Sequence, residues 1–257
     1  MKPKIDINCD LGESFGNFKI GHDAEIMPFI TSANIACGFH AGDPVVMART
    51  MKMAKENGVA VGAHPGFPDL VGFGRRDMSL SKEELKTIVI YQIGALEAFA
   101  RAASVHLQHV KPHGALYNTA SENEADASAI IEAVRAVNPR LVLFALANSK
   151  MAKMAAGAGL RVAHEAFIDR AYNSDGSLVS RRTAGAVIEE PKAVTERAVR
   201  MVKEREVMAI DGGAVRFDKV NTLCVHGDTL NAVGLAKSVK KALVAAGIEV
   251  VAVGLFV

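Results

Sequence analysis

The sequence predicts an α/β fold, a (β/α) barrel of seven or eight strand–helix units, and three observations point to it. Short apolar runs alternate with longer helical patterns, the arrangement of βα units on a parallel sheet. Several of those runs are polar at every second position, so that one strand face is apolar and the other is not. The dinucleotide pattern G-x-G-x-x-G and the phosphate-loop pattern G-x-x-x-x-G-K-[ST] are both absent, which weakens the alternative of an open doubly wound sheet. The chain has 257 residues, half of them hydrophobic, enough for one large core, and residues 1–257 read as a single barrel domain.

In chain order, the expected strands are Ile5–Cys9, Ser32–Ala36, Val59–Ala63, Leu107–Val110, Leu141–Ala145, Val162–Glu165 and Thr222–Val225. The apolar run Glu249–Val253 is a candidate eighth. Helix signals fall between them. Ser81 with Glu84 and Ser121 with Glu124 match capping boxes, in which a hydroxyl and a carboxylate satisfy each other's orphan N–H groups. Pro44 and Pro191 stand where a first-turn proline loses nothing. Gly58 and Gly247 close helices just before apolar strands, and Asp228 is the expected N-cap of a helix reaching Ala246.

Charged residues are 23% of the chain and the formal net charge is +2, which argues against a dedicated nucleic-acid binder. The longest basic runs are the pairs Arg75-Arg76 and Arg181-Arg182, read as solvated surface able to meet a phosphate. No window approaches the ~20 apolar residues of a membrane span, and no signal peptide is visible. Cys9, Cys37 and Cys224 are too few and too scattered for a disulfide framework or zinc ribbon; they suit a reducing cytoplasm and small core positions. Met47, Met51 and Met53 read as helix packing. The apolar end Val253–Val257 reads as core, with a homo-oligomer interface as the alternative.

Parity then assigns faces. In the first strand Ile5, Ile7 and Cys9 oppose Asp6, Asn8 and Asp10, and packing helices need the isoleucines, so the polar three point into the lumen. The same reading turns His64, His109, Lys111, His113, Glu165, Cys224, His226 and Asp228 inward and leaves His164 outside. Barrel interiors are ordinarily filled by branched apolar side chains, and buried charge is costly unless paired or liganded. Any one of these residues alone reads as a satisfied structural group; polar residues delivered by several strands to one rim read as a site.

The ordered motifs are Asp6-Ile7-Asn8-Cys9-Asp10-Leu11-Gly12-Glu13, Ser32-Ala33-Asn34 through Cys37-Gly38-Phe39-His40-Ala41-Gly42-Asp43, Gly62-Ala63-His64-Pro65-Gly66, Val110-Lys111-Pro112-His113-Gly114-Ala115-Leu116-Tyr117, Glu165 through Asp169-Arg170-Ala171-Tyr172, and Val225-His226-Gly227-Asp228. This series resembles the LamB/YcsF family from Asp6 to about Ala246, with no block missing. The resemblance implies a barrel of the glycoside hydrolase/deacetylase type with seven strands. It also implies work as one subunit of an ATP-dependent 5-oxoprolinase, which opens the lactam of 5-oxoproline to glutamate together with a B and a C subunit.

That chemistry needs cations at phosphates, a base for water and groups for the substrate carboxylate. Asp10, His40, His64, Lys111, His113 and Glu165 are the catalytic candidates. Asp6, Asn8, Asn34, Arg170, Tyr172, His226 and Asp228 are the substrate-binding candidates. Lys111 suits a phosphate or carboxylate as a point charge, and Arg170 suits a bidentate clamp. Asp10 or Glu165 suits the base, the histidines suit proton relay, and the turn from Gly38 to Gly42 suits backbone contact with phosphate. The expected cofactors are ATP and the Mg²⁺ that travels with it, with no protein-held metal. Two alternatives stand beside this reading: a metal-dependent deacetylase using Asp10, His40 and His64, and a non-catalytic subunit that presents substrate to its partners.

Overall fold

A computed structural model of the chain describes residues 2–227 and 231–257. Its elements, in chain order, are β1 (Lys4–Leu11), α1 (Asp23–Ile26), β2 (Ser32–Ala36), α2 (Pro44–Glu56), β3 (Ala60–His64), α3 (Lys82–Ala102), β4 (Leu107–Val110), α4 (Gly114–Glu122), α5 (Glu124–Val137), β5 (Val142–Leu146), α6 (Lys150–Gly157), β6 (Arg161–Phe167), α7 (Pro191–Lys203), β7 (Glu206–Met208), β8 (Ala214–Arg216), β9 (Thr222–Val225), α8 (Ala232–Ala245) and β10 (Glu249–Val250). Strands β1 to β6 pair in sequence order, all parallel, and β9 pairs with both β6 and β1 to close a seven-stranded barrel. Register is tight where the site is built: Asn8 lies opposite Ser32 on one side and Cys224 on the other, and Asp10 lies opposite Asn34.

Several observed strands start or end a residue or two from the expected limits, but parity, and therefore the face of each side chain, is unchanged. Ile5, Ile7, Val61, Val110, Leu143 and Leu223 pack outward into one core with the inner faces of the helices. Each such side chain contributes about 1.5–3 kcal/mol on burial. The lumen is polar instead: Asp6, Asn8, Ser32, Asn34, His109, Glu165 and Thr222 are all fully buried. His164 points out of the lumen beside Lys219 and Asn221.

Three expectations about elements are corrected. Glu249–Val253 does not add an eighth barrel strand. Val250 pairs with Ile5, but from Asp6 onward that edge of β1 is taken by β9, so the tail leaves the sheet. It forms a 3-10 turn over Val253–Leu255 and seats Val253 on Val142, Phe144 and Ala163 inside the barrel. Ser121 is not an N-cap: α4 runs through it and its hydroxyl donates back to Tyr117 O at 2.8 Å. The cap of α5 is Asn123, whose Oδ1 accepts from Ala125 N at 2.8 Å and Asp126 N at 3.3 Å. Helix α8 starts after Asn231 rather than at Asp228, which lies outside the described residues.

Ser81 forms the expected capping box with Glu84. Pro44 and Pro191 occupy first turns, and Gly58 and Gly247 adopt φ of +65° and +79°. The hairpin β7–β8, which turns through Asp211-Gly212-Gly213 with Gly212 at φ +91°, is not among the expected strands. Among the described residues no helix is long and apolar enough to cross a membrane.

Candidate functional site

The site grows from the C-terminal ends of β1 and β4. Lys111 follows β4, and its backbone N–H is tied to Ala63 O at 2.9 Å, which fixes where the side chain starts. The ammonium then turns into the lumen and is almost wholly buried. It lies 2.9 Å from Asp10 Oδ1 and 2.9 Å from Glu165 Oε1, donates to Asn8 Oδ1 at 3.1 Å, and reaches Cys224 Sγ at 3.2 Å. Burial alone would lower the Lys111 ammonium, but Asp10, Cys224 and Glu165 raise it well above the ordinary lysine value. Burial alone would raise Asp10, but the His64 ring and Lys111 hold its carboxyl well below the usual range. The pair is therefore charged at neutral pH.

Two amides lock this centre. Asn8 Nδ2 donates to Glu165 Oε1 at 2.9 Å and to Thr222 Oγ1 at 2.7 Å. Asn34 Nδ2 donates to Asn8 Oδ1 and to Asp10 Oδ1, both at 2.8 Å, and His109 Nε2 donates to Asn34 Oδ1 at 2.7 Å. Below them Asp6 accepts from the hydroxyls of Thr31, Ser32 and Thr222 at 2.5–2.7 Å. Burial raises the Asp6 carboxyl to about 6 despite these donors.

Three imidazoles and a carboxylate form a second group beside Asp10. His64 ends β3, and its Nδ1 lies 2.7 Å from Lys111 O. His113 precedes α4; its Nε2 lies 2.8 Å from Phe73 O and its Nδ1 lies 2.9 Å from His64 Nε2. His40, from the turn after β2, stacks on His113 with centroids 3.7 Å apart, and its Nε2 lies 3.3 Å from Glu13 Oε1. Glu13 Oε1 is also 3.5 Å from His113 Nδ1. Burial holds His40 and His113 well below the ordinary histidine value, so both rings are neutral.

A cavity of about 740 Å³ opens above these groups at the C-terminal mouth of the barrel. Its floor includes Asp10, His64, Lys111, His113 and His226, and its rim carries Arg75, Arg76, Arg170, Arg181 and Arg182. Arg170 donates to Val179 O at 2.5 Å; burial and the neighbouring Arg181 charge lower it to about 10, which leaves it cationic. His226 Nδ1 is held 2.7 Å from Asp169 Oδ2.

Of the residues expected from sequence, Asp10, His64, Lys111, His113, Arg170 and His226 line this one cavity. Glu165 lies beneath Lys111, and His40 lies behind His113. Asp6, Asn8 and Asn34 are fully buried under the floor, where they position the groups above rather than reach the cavity. Tyr172 belongs elsewhere: it is fully buried, its hydroxyl accepts from Phe167 N at 2.8 Å, and its ring packs on Phe217. Glu13, Tyr117 and Asp169 are not among the site candidates, although all three stand inside the quoted motifs. Both arginine pairs, read as solvated surface, meet at the cavity rim. The Asp10, His40 and His64 grouping does not converge as such; the donor atoms that do are those of Glu13, His40, His64 and His113, and separately of Asp10, Cys224 and His226.

A family model described as the LamB/YcsF family matches residues 5–256. The A subunit of 5-oxoprolinase from Pyrococcus abyssi is 55% identical over 248 residues, covering 96% of this chain and 97% of that one. The crystal structure of a lactam utilization protein from Thermus thermophilus superposes with a TM-score of 0.91 at 51% identity, over 97% of this chain and 99% of that one. A T48 deacetylase shares the fold alone, with a TM-score of 0.51 at 15% identity over 99% of this chain and 91% of that one.

Proposed function

Because the chain belongs to the LamB/YcsF family, we propose that it is the lactam-opening subunit of an ATP-dependent 5-oxoprolinase, working in the cytoplasm with B and C partner subunits. The observation that carries this reading is the buried Lys111, clamped by Asp10 and Glu165 at the floor of an arginine-rimmed cavity. Such a funnel selects a small anion. Its volume lies in the range of ordinary ligand sites, about 300–1,000 Å³, and leaves room for a five-membered lactam and a phosphoryl group.

The lactam carbonyl is a stable amide and needs activation. Transfer of the γ-phosphoryl group of ATP to the amide oxygen, with ADP leaving, makes the ring carbon electrophilic. Water adds to that carbon and gives its proton to a carboxylate. The ring C–N bond breaks as the nitrogen takes a proton, leaving an acyl phosphate that a second water converts to glutamate and phosphate. Lys111 steadies the negative charge that develops on oxygen, and Asp10, at the cavity floor, receives the water's proton. Arg170 and the rim arginines hold the substrate carboxylate and the phosphoryl group, with Mg²⁺ entering on the nucleotide.

The test is an assay of the purified chain with its two partners, following 5-oxoproline consumption with and without ATP. Turnover is expected only with ATP and all three chains. Asp10→Asn, nearly isosteric, is expected to lower kcat by about 100-fold or more, the usual scale for a general base. Full turnover by Asp10→Asn, or turnover without this chain, overturns the reading.

A further inference from the structure

We propose that Glu13, His40, His64 and His113 bind one divalent transition-metal ion of the zinc class in the wall of the cavity. Two main-chain carbonyls carry the inference. A carbonyl only accepts, so His64 Nδ1, 2.7 Å from Lys111 O, bears a hydrogen, and so does His113 Nε2, 2.8 Å from Phe73 O. The second nitrogens then face each other: His64 Nε2 and His113 Nδ1 stand 2.9 Å apart. A positive centre, a proton or a metal ion, must lie between them. Glu13 Oε1 brings negative charge to the same point, 3.5 Å from His113 Nδ1 and 3.3 Å from His40 Nε2.

All four donor atoms lie within 4.8 Å of one another. A tetrahedral ion with bonds of about 2.0–2.1 Å keeps its ligands roughly 3.3 Å apart, and the measured separations of 2.9, 3.3 and 3.5 Å bracket that value. Three imidazoles and one carboxylate suit zinc and its neighbours, whereas magnesium and calcium favour oxygen donors. Anchoring the second ring nitrogen on a carbonyl is also how metal-bound histidines are oriented. His40, whose Nδ1 meets no acceptor, is the least constrained of the four.

The other convergent group, Asp10, Cys224 and His226, carries no such inference. Lys111 already places its ammonium 2.9 Å from Asp10 and 3.2 Å from Cys224. Around the proposed ion the further charges are Asp10, 3.5 Å from His64 Nε2, and Arg75, whose field reaches His40 and His113. His64 and His113 line the cavity, so the four-coordinate ion lies at its wall and would meet an entering group only by expanding to five-coordinate. The site stands on donor geometry and is independent of the lactam reading, although an ion there would also polarise a lactam carbonyl.

The experiment uses the tag-free full chain, stripped with chelator and titrated with Zn²⁺ by calorimetry and with Co²⁺ by visible absorption. One equivalent should bind, with the intense visible bands of four-coordinate Co²⁺. The His64→Asn/His113→Asn variant should bind at least about 100-fold more weakly, beyond what loss of an outer-shell partner costs. Its metal-free thermal transition shows whether it folds. If it does not, Glu13→Gln, which touches neither carbonyl contact, carries the comparison and should weaken binding by about 10-fold or more. Wild-type chain that binds neither ion stoichiometrically, or variants that fold and bind as wild type does, overturn the proposal; a proton shared between the two rings then fills the gap.

Discussion

At the scale of single residues, the lumen is an electrostatic balance, and removing one member exposes the others. Lys111 neutralises two buried carboxylates, so Lys111→Met leaves Asp10 and Glu165 facing each other without a cation. Breaking a buried pair from one side costs about 3–5 kcal/mol. Urea unfolding should show that loss, and Lys111→Met/Asp10→Asn should recover part of it; equal stability of Lys111→Met and wild type would contradict the pairing. Asp6 makes a pH-dependent contribution of the opposite kind. Burial raises its carboxyl from 3.8 to about 6 in the folded protein, so between those values the folded chain holds a proton that the unfolded chain has lost. Stability therefore falls as pH rises from about 4 to about 6; outside that window this group adds no pH dependence, and the loss persists above it. A shift of this size corresponds to about 3 kcal/mol. Asp6→Asn should gain roughly that much relative to wild type across the window, read from unfolding curves at successive pH values; a difference that stays flat refutes it.

At the scale of elements, short-range rules worked wherever one rule had no competitor. Strand parity placed Asp6, Asn8, Asp10, His109, Lys111 and Glu165 inside because period-two alternation survives a one-residue error in the strand ends. The reach of parity stops where the strand stops. Glu13, Asp169 and the two arginine pairs lie on loops, whose course is set by contacts that strand parity does not reach, such as Arg76 with Asp69 within one loop and His226 with Asp169 across 57 residues. Tyr172 is a site candidate through the motif it shares with Glu165 and Arg170, and two residues of loop beyond Arg170 are enough to turn it onto Phe217. The α4–α5 junction shows two good caps in competition, with Asn123 prevailing over Ser121 because α4 continues past the serine. Asn123→Ala should cost about 1 kcal/mol. Ser121→Ala, which removes only a back-bond to Tyr117 O, should cost less, since such bonds add little to a helix. Thermal unfolding of the two variants decides which serves as the cap.

At the scale of the whole molecule, the two ends of the barrel are treated oppositely. The N-terminal end is plugged by the apolar tail, with Val253 on Phe144, and Phe144 stacks at 4.2 Å on the His109 ring that holds Asn34. The C-terminal end is open and charged. The chain's net charge is only +2, yet among the described residues the cavity gathers five arginines and Lys111 against Asp10, Asp77 and Glu122. Positive charge is thus concentrated by the fold rather than by composition, and a cleft with low-dielectric walls focuses such a field on an entering anion. Arg181 and Arg182 are exposed and contribute to this field without supporting the core. Each exposed charge near a bound anion is worth on the order of 0.5–1 kcal/mol, so Arg181→Ala/Arg182→Ala should bind 5-oxoproline roughly 5- to 30-fold more weakly. Its unfolding midpoint should not move. Added salt should weaken wild-type binding more than that of the variant, because the screening length is only about 8 Å at physiological ionic strength. Arg101→Ala, on α3 and paired with Glu97 away from the cavity, is the control. Calorimetry across a salt series gives the answer: parallel salt dependence in wild type and the rim variant would show that these arginines do not act on the ligand.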